Sequence, residues 1–413
     1  MKPKRSSIFA FSLLLVPYGI LYTYNFTDKA SIISWENFTE YFRQIFLIFG
    51  IFLLACLLWI VDRKPAPSTD TRPPRVGLWW AGFGLVLALA FGLAWHVNPH
   101  AHFSGERYPF ITVAARMTKT KLYRERAAVP DIVIMGSSRA FTISPRYISE
   151  LSNYTAFNMA VESGGIGDDM IQLNYMLKTG RVPRMLLIEI NQNSFGYVFP
   201  NIESQPLALF PYMNANMAAW NAENLIKDAF GWQSFSDSLY VLLFARFRSS
   251  YWTIDPSDDG FQDRSVVTHD EYVKLLTEAV TSSNKNNIYC RQIGLEGRKT
   301  LEEIAALARR NNIGVVLYVS PMNADFHTRV YRQDPDGFDN CRERIDSFLS
   351  SLSQKYSNVF YRDLSTYDPI SNLREGGFYD SFHLRPAAAN LVIEALLPDI
   401  RSAITWSLGE TGQ

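Results

Sequence analysis

The sequence predicts an α/β fold built on a parallel sheet, preceded by a membrane region of about three helices. Residues 128–400 alternate short, continuous apolar runs with amphipathic segments. That alternation is typical of a parallel sheet whose two faces are both covered by helices. The first 96 residues contain three apolar runs without a charged residue. Between these two regions, residues 97–127 are predicted to form a linker.

The three uncharged runs span residues 8–24, 45–61 and 76–95. Each approaches the ~20 residues that a helix needs to cross the hydrocarbon core of a bilayer. The basic segment "MKPKR" precedes the first run, and the basic loop "DRKPAPSTDTRPPR" joins the second run to the third. Because positive loops stay in the cytoplasm, we expect the chain after residue 96 to lie outside the membrane. The alternative is a cleaved signal peptide over residues 1–24, although no A-x-A cleavage site follows.

The composition and the motifs exclude several classes of function. Lysines and arginines total 40, as do aspartates and glutamates, so no basic excess indicates a nucleic-acid partner. Walker, dinucleotide and zinc spacings are missing from the sequence, which predicts neither a cofactor nor a metal. His96, His100 and His102 are more typical of a polar linker than of a metal site. Cys290 and Cys341 would meet oxidising conditions outside the membrane, either paired or as two separate buried thiols.

Five apolar runs are predicted as strands, and helical patterns follow or separate them. The strands lie in "VPDIVIMGSS", "YTAFNMAVESGGIG", "RMLLIEINQNSF", "IGVVLYVSP" and "NVFYRDLS". Ser144 and Pro145 are predicted to open the helix after the first strand. Asp168 and Gly180 are predicted to bound the helix after the second strand. The last helix is predicted in "PAAANLVIEALLPDI".

Residues 196–298 interrupt this alternation and are rich in aromatic side chains. The stretch "SFSDSLYVLLFARFRSSYW" within them has the spacing of an amphipathic helix. The insertion is either a helical subdomain packed on the sheet or a lid over a site. The sequence does not separate these two interpretations.

The loops at the carboxyl ends of the strands hold the candidate catalytic residues, because sites in parallel sheets form at that edge. Ser138 follows the first strand, and Asp380 precedes His383 by three residues just ahead of the last helix. Taken singly, the serine is explained as a helix cap and the histidine as a partly buried polar residue. Together they are the nucleophile, the base and the orienting acid of an acyl-transfer site.

Hydrogen-bond donors for an oxyanion are also predicted at these strand ends. The candidates are the Ser138 amide, Gly164, Gly165, Asn191 and Asn193. Glycines allow the backbone N–H groups to approach a ligand closely, and asparagines offer side-chain N–H groups.

The four loops, in this order, resemble the sequence blocks of the SGNH/GDSL hydrolase superfamily. Gly136-Ser137-Ser138 is similar to the Gly-Asp-Ser block, and residues 380–383 are similar to the Asp-x-x-His block. The glycine pair and the asparagine pair fall where the second and third blocks place their oxyanion donors. The resemblance covers about residues 128–400 except the insertion. It implies a three-layer, flavodoxin-like fold in which Ser138 is the nucleophile, His383 its base and Asp380 the orienting carboxylate.

Two residues depart from the pattern of that superfamily. Ser137 stands where the first block has aspartate, and Glu189 stands where the third block has glycine, two positions before Asn191. These departures weaken the oxyanion assignment more than they weaken the triad.

The Gly-Ser-Ser block and the membrane region are more similar to one branch, which contains alginate O-acetyltransferases and D-alanyl-transfer proteins. This resemblance implies a membrane-anchored O-acyltransferase, with acetyl as the expected acyl group, at the bacterial inner membrane with its domain in the periplasm. A multispanning acyltransferase would supply the acyl group, and an extracytoplasmic polysaccharide would accept it. The alternatives are a membrane-tethered esterase and a non-catalytic polysaccharide assembly or binding protein.

Overall fold

The structure is a computed structural model of the chain, which divides into two compact units, residues 1–82 and 83–413. The described residues are 76–103, 108, 115–191, 194–195, 207–229, 231–244, 256–263, 268–286, 294–332, 335–366 and 368–409. The first two predicted membrane spans, residues 8–24 and 45–61, lie outside these ranges.

The third predicted span, residues 76–95, coincides with helix α1 (Val76–Val97). No helix among the described ranges is both long enough and apolar enough to cross a membrane.

Five parallel strands form the sheet, in the order β2-β1-β3-β4-β5. They are β1 (Ile132–Met135), β2 (Ala156–Asn158), β3 (Met185–Ile190), β4 (Gly314–Val319) and β5 (Val359–Asp363). The predicted α/β fold with a parallel sheet is confirmed. Because the chain leaves β1 for β2 on one side and returns to β3 on the other, the carboxyl ends of β1 and β3 form a topological switch point, where parallel sheets bind their ligands.

Helices flank the strands in chain order. After α1 they are α2 (Ala115–Glu125), α3 (Pro145–Ser152), α4 (Ile166–Thr179), α5 (Ala215–Ala229), α6 (Trp232–Phe244), α7 (His269–Asn286), α8 (Leu295–Arg310), α9 (Ala324–Tyr331), α10 (Pro335–Lys355), α11 (Asp368–Ser371) and α12 (Pro386–Ser407). Short 3-10 helices span Ser138–Ala140, Leu207–Tyr212 and Arg374–Gly376.

The sheet is buried on both faces, which explains why its strands read as continuous apolar runs. In β1, Val133 and Met135 belong to a core that also contains side chains of α4, α8 and α10. Ile132 and Ile134 alternate with them and belong to a second core, formed with α3 and α12. This arrangement is the three-layer architecture that the sequence implied.

The predicted helix boundaries agree with the structure at most positions. The Ser144 side chain caps α3 by accepting from the Tyr147 amide at 3.1 Å, and Pro145 is the first helical residue. Gly180 ends α4 with φ of 70°. The start of α4 differs from the prediction, because Gly165 is the N-cap and Asp168 lies inside the first turn. There the Asp168 carboxylate accepts from the Gly165 amide at 3.2 Å.

The stretch predicted as a linker, residues 97–127, contains helix α2, and one face of α2 is buried in the domain. Arg116 and Lys119 on that face are 7% and 0% exposed. Tyr123 is also buried and donates to the Arg181 carbonyl at 2.7 Å. The buried face of α2 therefore carries two cationic side chains beside an aromatic ring.

The insertion, residues 196–298, contributes α5, α6 and α7 and a short segment, residues 256–263, that lies along the edge strand β2. The Asn158 amide donates to the Asp259 carbonyl at 2.8 Å, and the Gln262 amide donates to the Phe141 carbonyl at 3.1 Å. Gly260 has φ of 82°, and a Cβ there would lie 2.0 Å from the Asn158 carbonyl oxygen. Only glycine therefore fits at this approach.

Candidate active site

Ser138 and His383 meet at this edge of the sheet although 245 residues separate them in the chain. Ser138 opens the 3-10 helix directly after β1, and His383 lies three residues before α12. The Ser138 Oγ and the His383 Nε2 are 2.7 Å apart. A serine hydroxyl at hydrogen-bonding distance from an imidazole is the geometry of a base-activated nucleophile.

Asp380 completes a chain of three groups. Its Oδ2 lies 2.6 Å from His383 Nδ1, and its Oδ1 accepts from the amides of Phe382 and His383 at 2.8 Å each. Burial favours the neutral acid, but His383 and the two amides outweigh it and hold the pKa of Asp380 below its ordinary value. The carboxylate is thus ionised and faces one ring nitrogen, while the other ring nitrogen faces Ser138.

The loop that carries His383 is closed by its own backbone. Phe378 and Leu384 form an antiparallel bridge, and the Tyr379 amide donates to the His383 carbonyl at 3.1 Å. The Tyr379 ring stacks on the imidazole with centroids 5.2 Å apart and planes 10° from parallel. The Arg385 guanidinium binds the Glu375 and Phe378 carbonyls at 2.8 and 3.2 Å. The imidazole is therefore held in orientation by stacking as well as by Asp380.

Asn158, at the end of β2, holds the turn that carries Ser138. Its side-chain amide lies 2.7 Å from the Ala140 carbonyl and 3.0 Å from the Ile143 carbonyl. Its Oδ1 accepts from the Lys119 ammonium at 3.2 Å, and that ammonium also lies 4.6 Å from the centre of the Phe141 ring. Helix α2 thus supports the turn after β1 through a buried cation.

The predicted oxyanion donors differ in what they bind. The Gly164 amide donates to the Val161 carbonyl at 3.1 Å, and the Gly165 amide donates to Asp168. A Cβ at Gly164 would lie 2.4 Å from the Gly136 carbonyl oxygen, so this loop touches the turn after β1. Within the described ranges the Ser138 amide makes no hydrogen bond. Of the predicted backbone donors, the Ser138 amide is therefore the one available to an oxyanion.

The two asparagines have different positions in the structure. The Asn191 side-chain amide binds both carboxylate oxygens of Glu189 at 3.2 Å and the Ser137 hydroxyl at 3.3 Å. Asn191 is 4% exposed, so its side chain belongs to a buried network. Asn193 lies outside the described residues.

The two departures from the SGNH/GDSL pattern contact one another. Glu189 Oε2 accepts from the Ser137 hydroxyl at 2.8 Å and from the Ser137 amide at 3.1 Å. Glu189 Oε1 accepts from the Ser320 hydroxyl at 2.8 Å. Gly136 has φ of 121°, and a Cβ there would lie 2.7 Å from the Glu189 Cβ. The serine and the glutamate are therefore complementary, which the sequence pattern alone did not indicate.

Another buried acid, Asp169, contacts the turn that carries Ser138, and its pKa is shifted in the direction opposite to that of Asp380. Burial, with the carboxylates of Asp168 and Glu189, raises the pKa of Asp169 well above its ordinary value. A hydrogen bond from the Gly136 amide opposes this shift. Asp168 itself pairs with the Arg116 guanidinium at 2.8 Å. The protonated form of Asp169 is thus favoured by its burial among other acids.

The described residues contain no group of three or more histidines, cysteines or acids placed to hold a metal ion. Of the three histidines that the sequence groups together, His96, His100 and His102, His100 lies 2.8 Å from Asp237 and its ring lies 5.5 Å from that of His102. The His96 Nε2 lies 3.4 Å from the Tyr108 hydroxyl. Cys341 is buried and disulfide-bonded, while Cys56 and Cys290 lie outside the described residues. The pairing of Cys290 with Cys341 therefore stays a prediction.

The sequence did not indicate the buried polar residues that contact the loops of the candidate site. Lys119, Asn158 and Asp169 are polar side chains in apolar or amphipathic contexts, and each is 1% exposed or less. Glu189 carried the one usable signal, since a charged residue inside a buried strand requires partners.

Comparison with known proteins adds little to this geometry. No protein-family model matches the chain, and no curated protein matches it. A solved structure from Streptococcus pneumonia, provisionally named a platelet activating factor, is similar with 13% identity and a TM-score of 0.35. The similarity covers 69% of this chain and 91% of that one. At that identity and TM-score it identifies neither a family nor an activity, so the SGNH/GDSL resemblance stays a prediction from the loop residues.

The protonated state of Asp169 predicts how a variant responds to pH. Unfolded, Asp169 ionises near pH 3.9, so as pH rises above about 4 the folded chain, in which the pKa of Asp169 is raised, keeps a proton that the unfolded chain loses. The stability that this proton contributes is complete below about pH 4 and is lost as pH rises. Asp169→Asn should therefore gain unfolding free energy relative to the wild type as pH rises, by at most about 1.4 kcal/mol per pH unit.

Urea unfolding of the purified full-length chain at pH 4, 5.5 and 7 measures this difference. Asp258→Asn, which removes an exposed carboxylate, is the matched control. A constant difference between Asp169→Asn and the wild type across the three pH values would show that Asp169 is ionised in the folded chain.

Proposed function

We propose that the domain is a serine-dependent acyl-transfer enzyme that acts on esters. The observation that supports this is the continuous chain from the Ser138 hydroxyl through both ring nitrogens of His383 to the Asp380 carboxylate. In this proposal Ser138 Oγ attacks the ester carbonyl while His383 Nε2 takes the hydroxyl proton. His383 then gives that proton to the departing alkoxide, which leaves an acyl group on Ser138.

The second half of the reaction uses the same groups. His383 removes a proton from the acceptor hydroxyl, which attacks the acyl-Ser138 carbonyl, and the serine leaves with that proton. The Ser138 amide stabilises the oxyanion of both tetrahedral intermediates. Asp380 stabilises the imidazolium that forms in each step. The lowered pKa of Asp380 supports this role, because it keeps the carboxylate charged.

The acceptor is a sugar hydroxyl of an extracytoplasmic polysaccharide in the leading form of this proposal, and the acyl group is acetyl. The Gly-Ser-Ser block and the apolar N-terminal runs support this form through the branch that they resemble. The disulfide at Cys341 supports an oxidising compartment such as the periplasm. The membrane anchor and a multispanning acyl-donor partner belong to the same proposal.

A membrane-tethered esterase is the second candidate, with water as the acceptor and the same triad. The non-catalytic candidate rested on Ser137, which lacks the expected carboxylate. The hydrogen bonds from Ser137 to Glu189 account for that serine and favour the catalytic candidates.

Hydrolysis of a chromogenic acetate ester by the full-length chain tests the triad. We expect Ser138→Ala to lower kcat to the background rate. Asp380→Asn should lower kcat by about 10²- to 10⁴-fold, because the amide no longer stabilises the imidazolium. Ser351→Ala, on the exposed side of α10, is the control and should retain the wild-type rate. Full activity of Ser138→Ala would remove the serine from the mechanism.

Deletion of the gene in the source organism separates transfer from hydrolysis, because the two reactions change the acyl content of the polysaccharide in opposite directions. Transfer predicts that the ester-linked acyl content of an extracytoplasmic polysaccharide falls on deletion, measured by mass spectrometry. The wild-type gene should restore it, and Ser138→Ala should not. A rise in acyl content on deletion would indicate the esterase instead, and restoration by Ser138→Ala would indicate the non-catalytic candidate.

A further inference from the structure

We propose that Arg139 and Phe382 form a positioning pair that holds the Ser138 and His383 loops in register. Arg139 directly follows Ser138, and Phe382 directly precedes His383. The inference rests on the proposed function, because it assigns a role in the same acyl-transfer reaction to two residues outside the triad.

The contact between them is a cation–π interaction. The Arg139 Cζ lies 4.2 Å from the centre of the Phe382 ring, inside the ~6 Å range of such contacts. Arg139 is 7% exposed, so the guanidinium is largely shielded from water. Shielding strengthens the attraction between a cation and a ring face.

Each partner is fixed by further contacts. The Phe382 ring packs edge-on against Phe326 at 4.6 Å, and Phe326 is fully buried at the start of α9. The Phe382 amide donates to Asp380 Oδ1, so its backbone belongs to the triad loop. The Arg139 guanidinium lies 3.5 Å from the Ser320 hydroxyl, at the end of β4. The pair therefore joins the loops after β1 and β4 to the loop before α12.

The hydrogen bond between Ser138 Oγ and His383 Nε2 joins two loops that are far apart in the chain. Catalytic groups must be held within roughly 0.5 Å of their productive geometry, so a contact between the two loops adds to the supports that each loop has by itself. A contact between the residues that flank the two groups restrains the distance between Ser138 Oγ and His383 Nε2 directly. The pair touches neither atom, so it positions the catalytic groups without reacting.

A double-mutant cycle on ester hydrolysis by the full-length chain tests the pair. Arg139→Met removes the charge and keeps the length, and Phe382→Leu removes the ring face and keeps apolar volume. We expect each single variant to lower kcat about 5- to 30-fold with KM within twofold. The double variant should be no slower than the slower single variant, because both changes break the same contact.

Further variants separate positioning from a general loss of structure. Phe382→Tyr keeps the ring face and should retain kcat within about threefold, even if Phe382→Leu unfolds. Arg146→Met removes an exposed arginine on α3 and should keep the wild-type rate. The proposal would be overturned if the loss of kcat in the double variant equals the product of the losses in the two single variants. A change confined to KM would overturn it as well.

The failure of this inference is distinguishable from the failure of the proposed function. If Ser138→Ala abolishes hydrolysis and the two losses multiply, the triad stands and the positioning pair is wrong. If Ser138→Ala hydrolyses the ester at the wild-type rate, the acyl-transfer mechanism and the pair fail together.

Discussion

The carboxylate of Glu189 joins the carboxyl ends of three neighbouring strands. It lies on β3 and accepts hydrogen bonds from Ser137 after β1 and from Ser320 after β4. A buried carboxylate is stable only when its oxygens are satisfied, so the three strand ends cannot separate without a large cost in free energy. Because β1, β3 and β4 are adjacent in the sheet, one side chain reaches all of them. The position of Ser138, next to Ser137, depends on this constraint.

The acids near Ser138 serve different purposes because their surroundings differ. Asp380 faces an imidazole and two amides, which keep it ionised. Asp169 is buried beside other acids, which raises its pKa. The Gly136 amide donates to Asp169, so this acid also contacts the turn that carries Ser138. The proposed mechanism uses only Asp380, which faces the imidazole.

The fold could be predicted from the sequence wherever a local pattern of residues indicates it. Strand β1 is a continuous apolar run, Ser144 and Pro145 are a common helix start, and Gly180 is a common helix end. Helix α2 could not be predicted in the same way, because its buried face presents Arg116 and Lys119 as well as Tyr123. The contact of residues 256–263 with β2 was equally hidden, since it is made through backbone groups.

The candidate site was predictable in part, for a related reason. The spacing between Asp380 and His383 and the position of Ser138 after a strand indicated the triad geometry. The backbone and side-chain donors at Gly165 and Asn191 looked suitable by type, but each is already bound to a buried carboxylate. Hydrogen bonds between distant segments decide which donors remain available, and a single sequence does not encode them as a local pattern.

Mass mapping of the covalent adduct tests the central claim most directly. The full-length chain would be treated with a fluorophosphonate, digested, and its modified peptide sequenced by mass spectrometry. We predict one phosphonyl group per chain, on Ser138, with labelling abolished in the His383→Ala variant. An adduct on another serine, or labelling of Ser138 at the same rate without His383, would contradict the proposed catalytic chain.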